Sequence, residues 1–225
     1  MKPKVALALP LWRIMYGESV CNLVQLLMSF PFHSAHVAEN FRVDRARERM
    51  TESFLGTGGD YMFCLDSDME IPSGAIDRLL SHKLPLVAGL YVSRSEAHWP
   101  FVWNEQRDEA GNFQGYQIIA EWPEGALIPC DITGAGFLLI AREVFESLGP
   151  PWWLLEEDDE AGTDIIFLRR AKAAGWQLYV DTSLQAGHFD TYKLTLKDFI
   201  DWREENKDRI VDPATEVEHG RNQES

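Results

Sequence analysis

The chain begins with a short apolar run, Val5-Ala-Leu-Ala-Leu9, followed by Pro10. Unbroken apolarity over five residues predicts a strand buried on both faces, where alternation would predict a half-exposed one. Tyr61-Met-Phe-Cys-Leu65 and Leu86-Val-Ala-Gly-Leu-Tyr-Val92 repeat the pattern and predict two more such strands. Trp12 to Gly17 reads as a loop. Ser19 is placed to cap a helix running to about Phe30, with Val20, Leu23, Val24 and Leu27 on one face. A second helix is expected over Val37 to Leu55, closed by Gly56-Thr-Gly-Gly59. Ser73 is placed to cap a third, through Leu80. The first 92 residues therefore read β-α-α-β-α-β, the alternation of a largely parallel sheet with right-handed crossovers.

The middle of the chain has another rhythm. Phe101 to Trp103 and Tyr116 to Trp122 read as half-buried strands around a polar turn at Asp108-Glu-Ala-Gly-Asn112. Phe137-Leu-Leu-Ile140 is a further buried strand. Arg142 to Leu148 forms a short helix closed by Gly149-Pro-Pro151. Asp164 stands at the start of a helix ending near Gly175, and Gln177 to Val180 is the last strand. His188 follows in a loop. Thr195 is placed to cap a helix carrying Leu196, Phe199, Ile200 and Trp202. Beyond about Arg209 the sequence is polar and charged, and disorder is expected. The reading is one α/β domain over residues 1–190, then a helix and tail over 191–225.

Composition narrows the class. The net charge of -15 over 225 residues argues against a general nucleic-acid binder, which needs a basic face. Much of the acid sits in Glu156-Glu-Asp-Asp-Glu160 and in the tail. No apolar run reaches the length of a membrane span, and the N-terminal stretch is too short for the core of a signal peptide. Cys21, Cys64 and Cys130 are odd in number, widely spaced and without a CxxC pair, so neither zinc nor a disulfide framework is suggested. Cys64 reads as a small core residue. A reducing, cytoplasmic setting is expected.

The sharpest candidate for chemistry is Asp66-Ser67-Asp68, directly after the second strand. Two carboxylates two residues apart in extended chain point to one side. They lie where a parallel strand ends, the edge at which α/β sheets bind ligands. Such oxygens suit Mg2+ or Mn2+ shared with phosphates. The plainer alternative is that Asp68 caps a turn and Asp66 is solvated. Gly134-Ala-Gly136 suits close approach of backbone to a ligand, or a strand start or bulge. Trp99, Trp103, Trp122, Trp152 and Trp153 could offer aromatic faces to a ring-shaped ligand such as a sugar, Trp152 or Trp153 foremost, although core packing accounts for most tryptophans.

Four blocks resemble, in order, the GT-A glycosyltransferases, in particular the compact family-2-like members of bacteria and phages. They are Asp60-Tyr-Met-Phe-Cys-Leu-Asp-Ser-Asp-Met69, Leu86-Val-Ala-Gly-Leu-Tyr-Val-Ser-Arg94, Gly134-Ala-Gly-Phe-Leu-Leu-Ile-Ala-Arg-Glu-Val-Phe145, and Thr163 to Trp176 leading to Tyr179-Val-Asp181 and His188. The resemblance covers about residues 4 to 190. It implies an α/β GT-A fold, Rossmann-like, with a mostly parallel central sheet flanked by helices and a small antiparallel section. It implies transfer of a sugar from a nucleotide-sugar, UDP- or GDP-linked, to a carbohydrate or other hydroxyl acceptor.

The resemblance also implies roles. Asp66 and Asp68 would bind the Mn2+ or Mg2+ that holds the nucleotide diphosphate, with His188 as a further metal ligand. Asp164 would be the general base, with Asp158 and Asp159 as nearby alternatives; Thr163 stands where the family often carries an acid. Pro10, Trp12, Ser67, Gly134 and Gly136 would border the donor. Arg47, Arg45 and Arg94 are candidates for the diphosphate or base, although Glu48 stands where an Asn often follows the arginine. His33 and His98 are minor candidates for substrate contact. Two other readings fit parts of the pattern: a metal-dependent nucleotidyl- or phosphotransferase, and a non-catalytic domain that binds sugar nucleotides. No P-loop, G-x-S-x-G, H-E-x-x-H or G-x-G-x-x-G motif appears.

Overall fold

A computed structural model describes residues 2–11, 15–39, 41–154, 162–190 and 193–207. The three apolar runs form strands β1 (Val5–Leu11), β3 (Tyr61–Leu65) and β5 (Leu86–Leu90). Each alternates its side chains between two covered faces. Ala6, Ala8, Met62 and Cys64 enter one apolar cluster, while Val5, Leu7, Leu9, Phe63 and Leu65 enter another on the opposite side. The first cluster is closed by α2 (Val43–Leu55), α4 (Arg142–Leu148) and α5 (Thr163–Ala173), through Phe54, Phe145 and Phe167. The second is closed by α1 (Gly17–Ser29) and α3 (Ala75–Ser81), through Leu26, Ile76 and Leu79. The result is a three-layer α/β/α sandwich.

With β2 (Ser34–Glu39), β8 (Leu127–Cys130), β9 (Phe137–Ala141) and β10 (Leu178–Gln185), the central sheet runs in the order β2-β1-β3-β9-β5-β10-β8. Strand β1 pairs parallel with β2 and β3, and β5 pairs parallel with β10. Strand β9 runs antiparallel between β3 and β5, and β8 antiparallel against β10. Two short strands, β4 (Met69–Glu70) and β11 (Gly187–Phe189), pair antiparallel beside the sheet, and β12 (Lys193–Leu194) joins β11. A hairpin of β6 (Trp103–Arg107) and β7 (Phe113–Ile118) turns at residues 108–112. Helix α6 (Leu196–Glu205) starts at a capping box of Thr195 and Asp198 and packs Phe199 and Trp202 on Trp99.

Several expectations change. Residues 37–39 belong to edge strand β2 and not to the second helix, which starts at Val43. The strand was hidden because it turns Val37 outward and buries His36 and Ala38, so its apolar pattern points away from the core. The inward face of α1 is Ser19 and Leu26, with Val20, Val24 and Leu27 exposed, so the predicted stripe is rotated. Asn22 explains the rotation: its amide donates to the Ile71 carbonyl at 2.9 Å and accepts from the Ile71 N–H at 3.1 Å, pinning that face inward. Neither Ser19 nor Ser73 caps a helix; Tyr16 and Gly74 occupy those positions. The middle strands lie at Trp103–Arg107 and Phe113–Ile118, and Gln177 to Val180 extends to Gln185. His188 lies on β11, where a loop was expected. Trp12, the acidic run from Glu156 to Glu160 and the polar tail beyond Arg209 fall outside the described residues. Among those described, no helix is long and apolar enough to cross a membrane.

Cys64 and Cys130 are buried, and burial pushes the Cys64 thiol up to about 12, so it packs as a neutral group. Gly89 on β5 is fixed by its neighbour across the sheet. A Cβ there would lie 1.9 Å from the Phe137 ring. Gly89→Ala is therefore expected to cost about 1–3 kcal/mol, the usual range for overpacking a core, read as a lowered urea midpoint at unchanged slope. An unchanged midpoint would mean that the β5–β9 contact is loose.

Candidate active site

Strand β3 delivers Asp66 and Asp68 to the sheet edge. The segment is a turn, closed by the Met69 N–H on the Asp66 carbonyl at 3.2 Å, and not the extended chain expected. Asp66, Ser67 and Asp68 nevertheless line one cleft of about 390 Å³, with Pro10 and Leu11 from β1 and Phe41, Arg42 and Val43 from the start of α2.

His188 reaches this turn through strand pairing. Residue 69 follows the turn directly, and β4 pairs with β11 in a register that sets His188 opposite Met69. The Phe189 N–H donates to the Asp68 carbonyl at 2.8 Å and locks that register. The His188 Nδ1–H donates to the Val92 carbonyl at 2.8 Å. The neutral tautomer thus leaves the Nε2 lone pair free, and Nε2 lies 3.8 Å from Asp68 Oδ1. Burial holds the His188 pKa below its ordinary value, which favours that neutral form. Among the described residues Asp68 Oδ1 is buried with no hydrogen-bond partner, while Oδ2 pairs with Arg94.

Asp66 is held from below. The Arg47 guanidinium, 4% exposed, donates through Nη2 to both Asp66 oxygens at 3.0 and 3.1 Å. Its Nη1 lies 4.0 Å from Asp164 Oδ2. Burial opposes the charge on Arg47, but Asp66 and Asp164 outweigh it and hold the pKa above its ordinary value. Asp164 sits in the first turn of α5, after the N-cap Gly162, and its Oδ1 accepts the adjacent Ile165 N–H at 3.2 Å. Its Oδ2 accepts a weak bond from the Ala135 N–H at 3.3 Å. Arg47 was expected near the nucleotide; here it lies beneath two carboxylates. Arg45 is on the exposed face of α2.

Gly134 and Gly136 are required by side chains of the site. A Cβ on Gly134 would lie 1.8 Å from the Tyr91 hydroxyl, and one on Gly136 would lie 3.0 Å from Asp66 Oδ2. Tyr91 accepts the Gly136 N–H at 3.2 Å and meets the His188 ring edge-on at 5.4 Å. Burial, with Asp66 and Asp164 nearby, raises the Tyr91 pKa well above its ordinary value, so it stays a neutral phenol.

Trp152 and Trp153, the foremost of the tryptophans considered for an acceptor, are buried in the core. Trp153 is fully buried and stacks on Phe167 at 4.2 Å, and Trp152 is 5% exposed. His33 lies at the opposite end of β1 from the cleft, its N–H on the Val5 carbonyl. His98 stands in a turn after β5, its N–H on the Ser95 carbonyl. Sequence reasoning assigned no role in the site to Tyr91, Phe41 or Arg42, and noted Glu48 only as a departure. Glu48 is buried and accepts the N–H groups of Trp152 and Trp153 at 2.9 Å each, seating the ring beneath Arg47, whose guanidinium carbon lies 5.5 Å from the Trp153 ring. The departure from the family's Asn at position 48 was its signal.

Known structures share this architecture. A197 from STIV matches with a TM-score of 0.62 at 18% identity, covering 86% of this chain and 89% of that one. GalNAc-T7, in a structure with UDP, GalNAc and Mn2+, matches with a TM-score of 0.59 at 13% identity, covering 90% of this chain. The fold is GT-A. The chain spans about half of the GalNAc-T7 chain, 48%. No family profile and no curated protein matches the sequence. Within the GT-A fold, the strand ends carry Asp66 and Asp68 to the edge where such α/β sheets bind ligands.

Removing Arg47 leaves Asp66 and Asp164 facing each other across a partly buried gap. Arg47→Ala is expected to cost about 2–3 kcal/mol, less than for a fully buried pair because water reaches both carboxylates. Chemical denaturation measures it. A loss no greater than that of an exposed α2 arginine such as Arg45→Ala would refute the bridging role.

Proposed function

We propose that the chain is a glycosyltransferase that holds a nucleoside-diphosphate sugar with a divalent cation and passes the sugar to a hydroxyl acceptor. The observation that carries this reading is the meeting of Asp68 and His188 at one end of the cleft. Among the described residues, a buried carboxylate oxygen without a hydrogen-bond partner faces an imidazole nitrogen whose lone pair is free. That oxygen and nitrogen fit Mn2+ or Mg2+. Among the described residues no three His, Cys, Asp or Glu side chains form a complete cage. The proposed cation would therefore take its remaining positions from substrate phosphates and water.

Asp68 and His188 would be the protein ligands. Asp66, turned by Arg47 along the cleft wall, would face the donor, with Pro10, Ser67 and Phe41 around the nucleoside. When bound, the cation neutralises charge on the departing diphosphate. Arg94 would leave Asp68 as the cation enters and offer its guanidinium to the diphosphate. Asp164 would accept the proton of the acceptor hydroxyl as that oxygen attacks the anomeric carbon and the nucleoside diphosphate leaves. The GalNAc-T7 structure of like fold holds UDP and Mn2+, which makes UDP the first donor nucleotide to try.

Calorimetry with UDP, GDP, CDP and ADP, with and without Mn2+, tests the donor site. One nucleotide is expected to bind only with metal, and Asp68→Ala and His188→Gln are each expected to weaken it about tenfold or more. Binding to none of the four in either condition would sink the donor reading. Asp164→Asn separates binding from chemistry: turnover is expected to fall about 10²–10⁴-fold, the typical share of a general base, at unchanged nucleotide affinity. A turnover equal to wild type would remove Asp164 from the mechanism.

A further inference from the structure

On the flank formed by the β6–β7 hairpin and the second half of α5 lies another pocket, of about 480 Å³, lined by Glu105, Arg107, Phe113, Arg169, Lys172 and Ala173. None of these residues belongs to the donor cleft. Arg169 and Lys172 stand five and eight residues beyond Asp164, about 7.5 and about 12 Å along the helix axis. The pocket is organised around one carboxylate. Glu105, whose side chain is 2% exposed, accepts from Arg107 Nη2 at 2.9 Å, Lys172 Nζ at 3.1 Å and Arg169 Nε at 3.2 Å. Lys172 also reaches Asp131 at 2.7 Å. Three cations thus converge on two carboxylates, which leaves local positive charge in a chain whose net charge is -15.

Arg169 is held by contacts that leave part of its guanidinium open. Its Nε is tied to Glu105, and its guanidinium lies over the Phe113 ring at 4.5 Å and near the Tyr116 ring at 5.2 Å. These three contacts fix the plane of the group. Its two terminal nitrogens make no hydrogen bond among the described residues. A planar fork with four unbonded N–H groups, already immobilised, matches the two oxygens of a carboxylate or phosphate. Beside it Phe113 is 43% exposed, and an aromatic ring suits the apolar face of a sugar. Burial alone would raise the Glu105 pKa, but Arg107 and Lys172 hold it below its ordinary value, so the tether stays ionised over the neutral range.

We propose that this pocket is a second binding site, for an anionic carbohydrate: a sugar bearing a carboxylate or a phosphate, seated with its charge on Arg169 and Lys172 and its ring against Phe113. Such a site grips an anionic acceptor, or a neighbouring unit of one, away from the donor cleft. Binding at this pocket stands independently of the donor reading, while its use for an acceptor rests on that reading.

The test titrates the full chain with glucuronate, glucose 6-phosphate, glucose and inorganic phosphate, following backbone amide shifts. At least one charged sugar is expected to shift the amides of residues 111–113 and 169–173. Glucose and inorganic phosphate are expected to bind about tenfold more weakly, since each lacks either the charge-assisted bonds or the ring contact. Glucuronate and glucose 6-phosphate distinguish a uronate from a phosphosugar ligand. Arg169→Gln is expected to weaken binding about tenfold, with Arg169→Lys between the two. Phe113→Ala, at an exposed ring, should weaken the charged sugars and leave inorganic phosphate unchanged, and it decides the matter if Arg169→Gln does not fold. Absence of shifts with every probe, affinity untouched by both Arg169→Gln and Phe113→Ala, or inorganic phosphate binding as tightly as the sugars would overturn the proposal. Binding of UDP with Mn2+ in the same variants reports separately on the donor cleft.

Discussion

A single buried guanidinium sets the spacing of the candidate active site. Two carboxylates from distant parts of the chain, Asp66 after β3 and Asp164 on α5, approach each other, and like charges drive them apart unless a cation lies between. Arg47 is that cation. An ion this deep is stabilised only if its partners are held in place, and the surroundings do so. Glu48, the next residue, anchors the backbone at Trp152 and Trp153, and Trp153 packs beside Arg47. Thr163 donates to the Trp153 carbonyl at 2.7 Å, which fixes the start of α5 and with it Asp164. Helix α2 therefore organises both the floor and the far wall of the site.

The second constraint is steric. Tyr91 stands between the glycine segment of residues 134–136 and His188, and its hydroxyl occupies the space that a side chain at 134 would fill. The ring backs the imidazole, while the Val92 carbonyl fixes its tautomer. Strand pairing of β4 with β11 then brings the imidazole to Asp68. The proposed donor chemistry rests on a short β-ladder as much as on the central sheet.

Much of this was legible in the sequence, for identifiable reasons. The buried strands β1, β3, β5 and β9 announce themselves because both faces are covered and the runs are uniformly apolar. The carboxylates at the end of β3 follow from the same logic. What was missed depends on partners distant in sequence. Edge strand β2 is half-exposed and shows Val37 to solvent. The rotation of α1 is decided by Asn22 and Ile71, forty-nine residues apart. The Gly134 and Gly136 spacing was visible, but the group that demands it, Tyr91, is not signalled by any local pattern. Arg47 was singled out for a ligand, and only its burial reveals that its partners are Asp66 and Asp164.

If the proposed donor site is right, Asp68 and His188 together receive the divalent cation at the mouth of the cleft. Paramagnetic broadening of backbone amides by trace Mn2+, in the presence of a nucleoside diphosphate, reads the position of that cation without relying on turnover. The expected result is broadening centred on residues 66–69 and 187–189, fading along β3 toward Tyr61. Broadening centred elsewhere, or none above that given by free Mn2+ on exposed acidic residues, would contradict it.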